Sequence, residues 1–286
     1  MKILDGKSTS ASVKAMIKKQ ANSLIEVGIK PALAVILVGE NKASKTYVNA
    51  KEKACKECDI ASIIHRLPEQ TKQEELLALI NVLNIDDSVD AILVQLPLPK
   101  HIDEKIVLES IKDSKDVDGF HALNVGKLSS GLDGFVPCTP LGVKVMLDEY
   151  GIDVSGLNAV VVGRSNIVGK PMANLLLNAN ATVTIAHSHT KNLSEICKNA
   201  DLIVAAIGKP KFITADMVRD KAVVVDVGIN RLDDGSLCGD VDYENVSKKA
   251  SFITPVPGGV GPMTIAMLLS NTIKSATNRA KKLGLK

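Results

Sequence analysis

Tryptophan is absent from the 286-residue chain, and tyrosine and phenylalanine number only 3 and 4. Aromatic platforms for stacking single-stranded bases are therefore nearly missing. Charge of one sign is also scarce in excess: 35 Lys and Arg against 32 Asp and Glu leave +3, too weak a field for a polyanion partner. Nucleic acid is not an expected partner. Long apolar runs are missing too. Stretches such as Ala32 to Val38 fall far below the ~18 residues that a membrane span requires. The start Met1-Lys2-Ile3-Leu4-Asp5-Gly6 turns polar too early for a signal peptide, so the expectation is a cytoplasmic protein with no membrane partner. Cysteine is sparse and odd in number, at five, which favours reduced thiols over a disulfide framework. Cys55-x-x-Cys58 has no second ligand pair and falls near a predicted helix end, so inert thiols are expected there and no metal.

What remains is ordinary globular material, 45% hydrophobic and 23% charged, arranged as alternating strands and helices. Val13, Met16, Ile17, Ala21 and Leu24 recur at helical spacing over Ser8 to Val27, and Ala32 to Val38 reads as a strand buried on both faces. A helix over about Ala43 to Cys58, a strand over Ala61 to Leu67, a helix over about Glu74 to Leu83 and a strand over Asp90 to Leu96 follow. A second series starts at Ala159 to Val162 and continues with a helix over Lys170 to Asn178 and a strand over Ala181 to Ala186. Next come a helix capped by the Asn192 side chain with Glu195, and strands Leu202 to Ile207 and Ala222 to Val227. A last helix opens with Pro262 at its first position and runs to about Lys282. The expected architecture is α/β with two domains, each a mainly parallel sheet flanked by helices, the second Rossmann-like. The boundaries are placed at 1–137 and 138–261, with the final helix, 262–286, reaching back to the first domain.

Val160 to Pro171 is a strand, a glycine-bounded turn and a helix start, whose free N–H groups suit a pyrophosphate. Gly163 and Gly169 are separated by five residues, and the usual fingerprint lacks its middle glycine, so the turn alone fits either a dinucleotide or an empty α/β connection. The next strand ends Ile185-Ala186-His187-Ser188-His189-Thr190. A NAD enzyme usually places a carboxylate there for the ribose hydroxyls; this chain offers hydroxyls, imidazoles and nearby Arg164, which favours NADP.

In the first half, Tyr47 and Lys51 share a helix face, one turn apart. Taken alone they fit a surface pair better than a site. Gln95 stands at the carboxyl end of a buried strand, where open α/β sheets bind ligands, although satisfying its own loop is the plainer role. Asp116-Val117-Asp118-Gly119-Phe120 has the form of an Asx-type turn. Pro255 to Thr264, dense in proline and glycine, fits either a backbone held close to a ligand or a tight crossover.

The whole set resembles the bifunctional methylenetetrahydrofolate dehydrogenase/methenyltetrahydrofolate cyclohydrolases. The resemblance rests on Ser44-Lys45-Thr46-Tyr47-Val48-x-x-Lys51, Val94-Gln95-Leu96-Pro97-Leu98-Pro99, Lys115-Asp116-Val117-Asp118-Gly119-Phe120, Pro137-Cys138-Thr139-Pro140, Val162-Gly163-Arg164-Ser165-x-x-Val168-Gly169-Lys170-Pro171 and Pro255 to Thr264, in the family's order. It implies a folate cleft between the two domains, NADP held by the second, and a homodimer. By the same resemblance Lys51 is the acid/base group, Tyr47 packs against the folate, Gln95 tunes Lys51 and Asp118 binds the pterin. Gly163, Arg164, Ser165 and Ser188 contact NADP, with Ile229 doing so through its backbone, and Pro257 and Gly259 lie near the folate. A short-chain dehydrogenase, whose Tyr-x3-Lys pair looks alike, is disfavoured by order, because that family puts its nucleotide turn before the pair. A scaffold that kept the fold and lost the chemistry is disfavoured by intact Tyr47, Lys51, Gln95 and Asp118.

Overall fold

The computed structural model describes residues 1–285. In chain order the elements are β1 (Lys2–Ile3), α1 (Gly6–Glu26), β2 (Ala32–Val38), α2 (Lys42–Glu57), β3 (Ala61–Leu67), α3 (Gln73–Ile85), β4 (Ala91–Val94), α4 (Glu104–Ser110), α5 (Ala122–Ser129) and α6 (Cys138–Glu149). They continue with β5 (Asn158–Val162), α7 (Gly169–Asn178), β6 (Thr182–Ala186), α8 (Leu193–Lys198), β7 (Leu202–Ala205), β8 (Val223–Asp226), β9 (Asn230–Arg231), β10 (Leu237–Cys238), α9 (Tyr243–Val246), β11 (Phe252–Ile253) and α10 (Val260–Lys282). Two compact units result: Ser12–Cys138 with Ile265–Lys286, and Met1–Ala11 with Thr139–Thr264.

The Ser12–Cys138 unit is built on a three-stranded parallel sheet in the order β3-β2-β4. Every residue of β2 is buried, as an apolar strand with neighbours on both edges and helices on its faces must be. Leu76, Ile80 and Leu83 of α3 pack with Ile36, Ile92 and Val94 in one core cluster. Asn41 caps α2, its side chain accepting from the Ser44 N–H, which fixes where that helix leaves the carboxyl end of β2. Helix α10 is anchored by an ion pair. Arg279 donates to both carboxylate oxygens of Asp90, at 2.7 and 2.9 Å, while the same carboxylate accepts from the Ala32 N–H.

The other unit holds a six-stranded parallel sheet, β1-β11-β8-β7-β5-β6, and a two-stranded antiparallel ribbon, β9 with β10. Strand direction is uniform, and the order reverses at β5, between β6 and β7. That is the switch point at which an open α/β sheet leaves a crevice for a ligand. The dipeptide Lys2–Ile3 carries no strand signal of its own, yet it pairs with Phe252–Ile253, and the Asp5 N–H donates to the Tyr150 hydroxyl at 2.8 Å.

Two local expectations need correction. Asn192 takes a left-handed conformation, φ 54°, and its side chain makes no capping bond; its carbonyl instead accepts from Glu195 and Ile196. Pro262 is the third residue of α10 rather than the first. The first four N–H groups of a helix have no intrahelical partner, so the missing donor costs the helix nothing at either position. Among the described residues no helix is long and apolar enough to cross a membrane.

The Asp90 side chain is fully buried, so Arg279→Ala strands a carboxylate in the core. The expected loss is about 3 kcal/mol, read as a fall in Tm at pH 7. An unchanged Tm would show that the pair does not hold α10.

Candidate active site and dinucleotide turn

In the Ser12–Cys138 unit the geometry starts from Gln95, the first residue after β4. Its N–H extends the ladder to the Ile36 carbonyl at 2.9 Å, and its side-chain amide donates to the Leu96 carbonyl at 2.7 Å. Both bonds turn Oε1 outward from the strand end, where it accepts from Lys51 Nζ at 3.0 Å. Lys51 and Tyr47 lie on α2 but differ in environment: Lys51 is 9% exposed and Tyr47 is 43% exposed. An ammonium is thus withdrawn from water while a tyrosine ring one turn away stays open to it.

Burial lowers the Lys51 pKa from the ordinary amine range, opposed chiefly by the charge of Asp118. Burial raises Asp118, and the neighbouring Lys51 pulls it back. The two shifts bring the pKa values of the amine and the carboxyl closer together. The Asp118 loop is pinned by its neighbour Asp116, which is bridged to Ile92 of β4 and accepts from the His121 N–H and the Asn124 amide at 2.8 and 2.9 Å.

Two residues outside the expected set complete this frame. The buried Cys138 thiol lies 3.4 Å from the Val117 carbonyl and 3.5 Å from Asp118 Oδ1. Asn271 of α10 donates to the Val117 and Val136 carbonyls, at 2.7 and 3.0 Å, tying the segment before Asp118 to the segment before Cys138. The signal for Asn271 was an amide in the apolar stripe of the last helix, beside Leu268 and Thr272. A buried amide must find partners, and these are what it finds.

The Thr139–Thr264 segment holds the dinucleotide turn. Gly163 follows β5 with φ 131°, and a Cβ on it would run into the Ala206 carbonyl, so the turn closes only on glycine. Ser165 Oγ accepts from the Val168 and Gly169 N–H groups at 3.2 and 3.3 Å, at the start of α7. Arg164 and Ser165 are exposed in this turn, and Ser188 is exposed after β6. The turn after β6 is closed by Thr190, whose hydroxyl accepts from the His187 N–H, and no carboxylate stands in it. Ile229 is 48% exposed between β8 and β9, its side chain directed at Gly261. Pro257 is exposed and Gly259 buried, with Gly6 packed onto the Gly259 carbonyl. The structure thus brings Lys51, Gln95 and Asp118 together in one unit with Tyr47 beside them, and gathers Gly163, Arg164, Ser165, Ser188 and Ile229, with Pro257 and Gly259, in the other. Among the described residues no group of three or more His, Cys, Asp or Glu is placed to hold a metal ion.

Residues 4–118 match the model of the tetrahydrofolate dehydrogenase/cyclohydrolase catalytic domain, and residues 137–280 match that of the same family's NAD(P)-binding domain. The chain belongs to this family. It is 73% identical to the bifunctional protein FolD of Campylobacter curvus over all of this chain and 99% of that protein. The crystal structure of the bifunctional FolD enzyme of Campylobacter jejuni superposes with a TM-score of 0.97 at 60% identity, covering 98% of this chain and 99% of that one. The dehydrogenase-cyclohydrolase of Trypanosoma brucei, solved with NADP cofactor and an inhibitor, gives 0.92 at 36% identity over 96% of both chains. The fold class is that of the family, α/β with a Rossmann-like dinucleotide domain.

Burial also sets thiol reactivity. It pushes Cys55 up to about 12 and Cys197 to about 11, and raises Cys58 and Cys138, whereas Cys238 in β10 is half-buried. Native protein at pH 8 should therefore present one fast thiol to a colorimetric disulfide reagent, lost in Cys238→Ser, and five after unfolding. Rapid labelling of Cys138 in the native chain would contradict the packed frame around Asp118.

Proposed function

We propose that the chain oxidises 5,10-methylenetetrahydrofolate to 5,10-methenyltetrahydrofolate with NADP, and hydrolyses the product to 10-formyltetrahydrofolate, with Lys51 as its acid/base group. The observation that carries the assignment is a buried amine held at 3.0 Å by Gln95 in a chain of this family. In this reading the unit of Ser12–Cys138 with Ile265–Lys286 binds folate and performs the chemistry, and that of Met1–Ala11 with Thr139–Thr264 binds NADP. NADP, when bound, accepts the hydride that leaves the one-carbon bridge. That step asks the protein chiefly for alignment, since no protein nucleophile is required.

Hydrolysis asks for more. Water adds to the methenyl carbon and loses a proton; then the bond from that carbon to N5 breaks as N5 takes up a proton, leaving the formyl group on N10. Lys51 serves both transfers, because an amine whose pKa is lowered by burial gives up its proton more readily than an exposed one and can take it back. Gln95 Oε1 orients Nζ, and the cationic substrate lowers the amine further by like-charge repulsion. Asp118 accepts from the amino-pyrimidine edge of the pterin and Tyr47 packs on the ring. Pro257 and Gly259 line the folate's approach.

Arg164 and Ser188 supply charge-assisted and hydroxyl donors to a 2′-phosphate, with Gly163, Ser165 and the Ile229 backbone along the rest of the dinucleotide. The fit rests on the donor set at the ends of β5 and β6, where a NAD site would carry a carboxylate. This reading takes the enzyme to work in the cytoplasm. A homodimer is the assembly this reading adopts, closed two-fold pairs being the commonest among soluble enzymes.

Lys51→Met should lower methenyltetrahydrofolate hydrolysis by roughly 10²- to 10⁴-fold, with hydride transfer less affected. A folded Lys51→Met protein that hydrolyses at the wild-type rate would remove Lys51 from the role. In wild type the hydrolysis rate should rise with pH and level off below 10.5, since the neutral amine accumulates above the lowered pKa. Cofactor choice is tested separately: wild type should bind NADP of order 10²-fold more tightly than NAD, two charge-assisted bonds being worth about 3 kcal/mol. Arg164→Ala should shrink that ratio, and an unchanged ratio would exclude Arg164 from the pocket.

A further inference from the structure

The proposed mechanism makes no use of Asp226 and Asp240, although they are the most heavily hydrogen-bonded carboxylates of the Thr139–Thr264 segment. Asp240 is fully buried. It accepts from three consecutive N–H groups, those of Ile207 and Gly208 on Oδ2 at 2.7 and 2.9 Å and that of Lys209 on Oδ1 at 2.9 Å. Oδ1 also accepts from the side-chain amide of Asn230 at 2.9 Å. Asp226, at the end of β8, accepts from the N–H groups of Gly228 and Asp240 on Oδ1 and of Val241 on Oδ2, all at 2.8–2.9 Å. A Cβ on Gly228 would overlap the Asp240 carboxylate, and one on Gly239 would overlap that of Asp226. The two acids and two glycines therefore interlock.

The loops they bind are informative. Residues 207–209 follow β7, on the far side of the switch point from the Gly163 turn, and the Ala206 carbonyl is the atom against which Gly163 closes. Residues 228–230 flank Ile229 on both sides, and Ile229 in turn reaches Gly261. One carboxylate thus spans both loops on the β7–β8 side of the crevice. Backbone N–H groups in a three-residue run normally receive a ligand's anion; here a side chain of the protein occupies them, so they are spent on shaping the crevice.

We propose that Asp240, braced by Asp226, is a positioning residue for the cofactor, holding the 207–209 and 228–230 loops in the arrangement that receives the nicotinamide end of NADP. The inference rests on the reading that this crevice binds NADP. Asp240 touches no reacting atom; it acts through Ile229 and through the loop against which the Gly163 turn closes. Burial pushes Asp226 up to about 6, while the N–H groups of Asp240 and Val241 hold it down against further rise.

Because hydrolysis of methenyltetrahydrofolate consumes no NADP, the two activities separate positioning from folding. In Asp240→Asn an amide –NH2 must face N–H groups that need an acceptor. The expected result is a 10- to 100-fold loss of dehydrogenase kcat/KM for NADP, with a matching rise in the NADP Kd. Hydrolysis measured without NADP should stay within twofold of wild type. Should Asp240→Asn fail to fold, Asn230→Ala removes a single bond to Asp240 beside Ile229, and should raise the NADP KM about threefold with hydrolysis unchanged. Dehydrogenase and hydrolase falling together, in step with Tm, would make Asp240 a stability residue and overturn the proposal, as would unchanged NADP kinetics in a folded variant. A wild-type chain that binds no NADP in titration would instead overturn the cofactor reading beneath it, and the proposal with it.

Discussion

An ammonium taken out of water is the constraint around which the Ser12–Cys138 unit is organised. Removing Lys51 from solvent is costly unless its charge is answered or given up. The surroundings answer it only in part. One amide oxygen accepts from it, and Asp118 is near enough to oppose the desolvation without ending it. A full ion pair would hold the amine charged, and full isolation would hold it neutral. Neither extreme would serve the role proposed for Lys51, in which a proton is both taken and returned. The neighbouring groups are themselves held in place. Gln95 is locked by its own bond to the Leu96 carbonyl, and Asp118 is fixed through Asp116, Cys138 and Asn271.

The second unit solves a different problem with similar means. Parallel strands end in loops whose backbone polar groups must be satisfied, and at a binding crevice they cannot all be satisfied by regular structure. At the Gly163 turn the N–H groups of Val168 and Gly169 go to the Ser165 hydroxyl. On the other side Asp226 and Asp240 take them up. Polar burial here specifies shape, and the arrangement needs the glycines that make room for it no less than the carboxylates.

Much of this was legible before any coordinates. Strands β2 and β3 cover the spans read from the sequence, Ala32 to Val38 and Ala61 to Leu67, and the Gly163 turn follows β5 as its spacing requires. The alternation of strand and helix fixed the class. What escaped has physical reasons. Lys2–Ile3, Leu237–Cys238 and Phe252–Ile253 are strands of two residues, too short for any periodicity, formed by pairing with distant partners. Asn192 looked like a side-chain cap, yet a left-handed backbone satisfied the same N–H groups with a carbonyl. Lys51 beside Tyr47 read more readily as a surface pair, because helical spacing says which residues share a face and not which of them is buried. Asn271, Asp226 and Asp240 carried no motif at all. Their partners are backbone atoms at sequence separations that local pattern does not reach.

The division of the chain has a consequence for the order in which it can be made. Lys2 and Ile3 pair with Phe252 and Ile253, so they have no strand partner until that distant segment has been translated. Asn271 and Arg279 complete the packing of a unit whose sheet, β2 to β4, is translated well before them. Each unit therefore draws on residues translated long after most of it, unlike a domain that folds as one contiguous stretch while it emerges. A ribosome stalled before Phe252 leaves both unfinished at once.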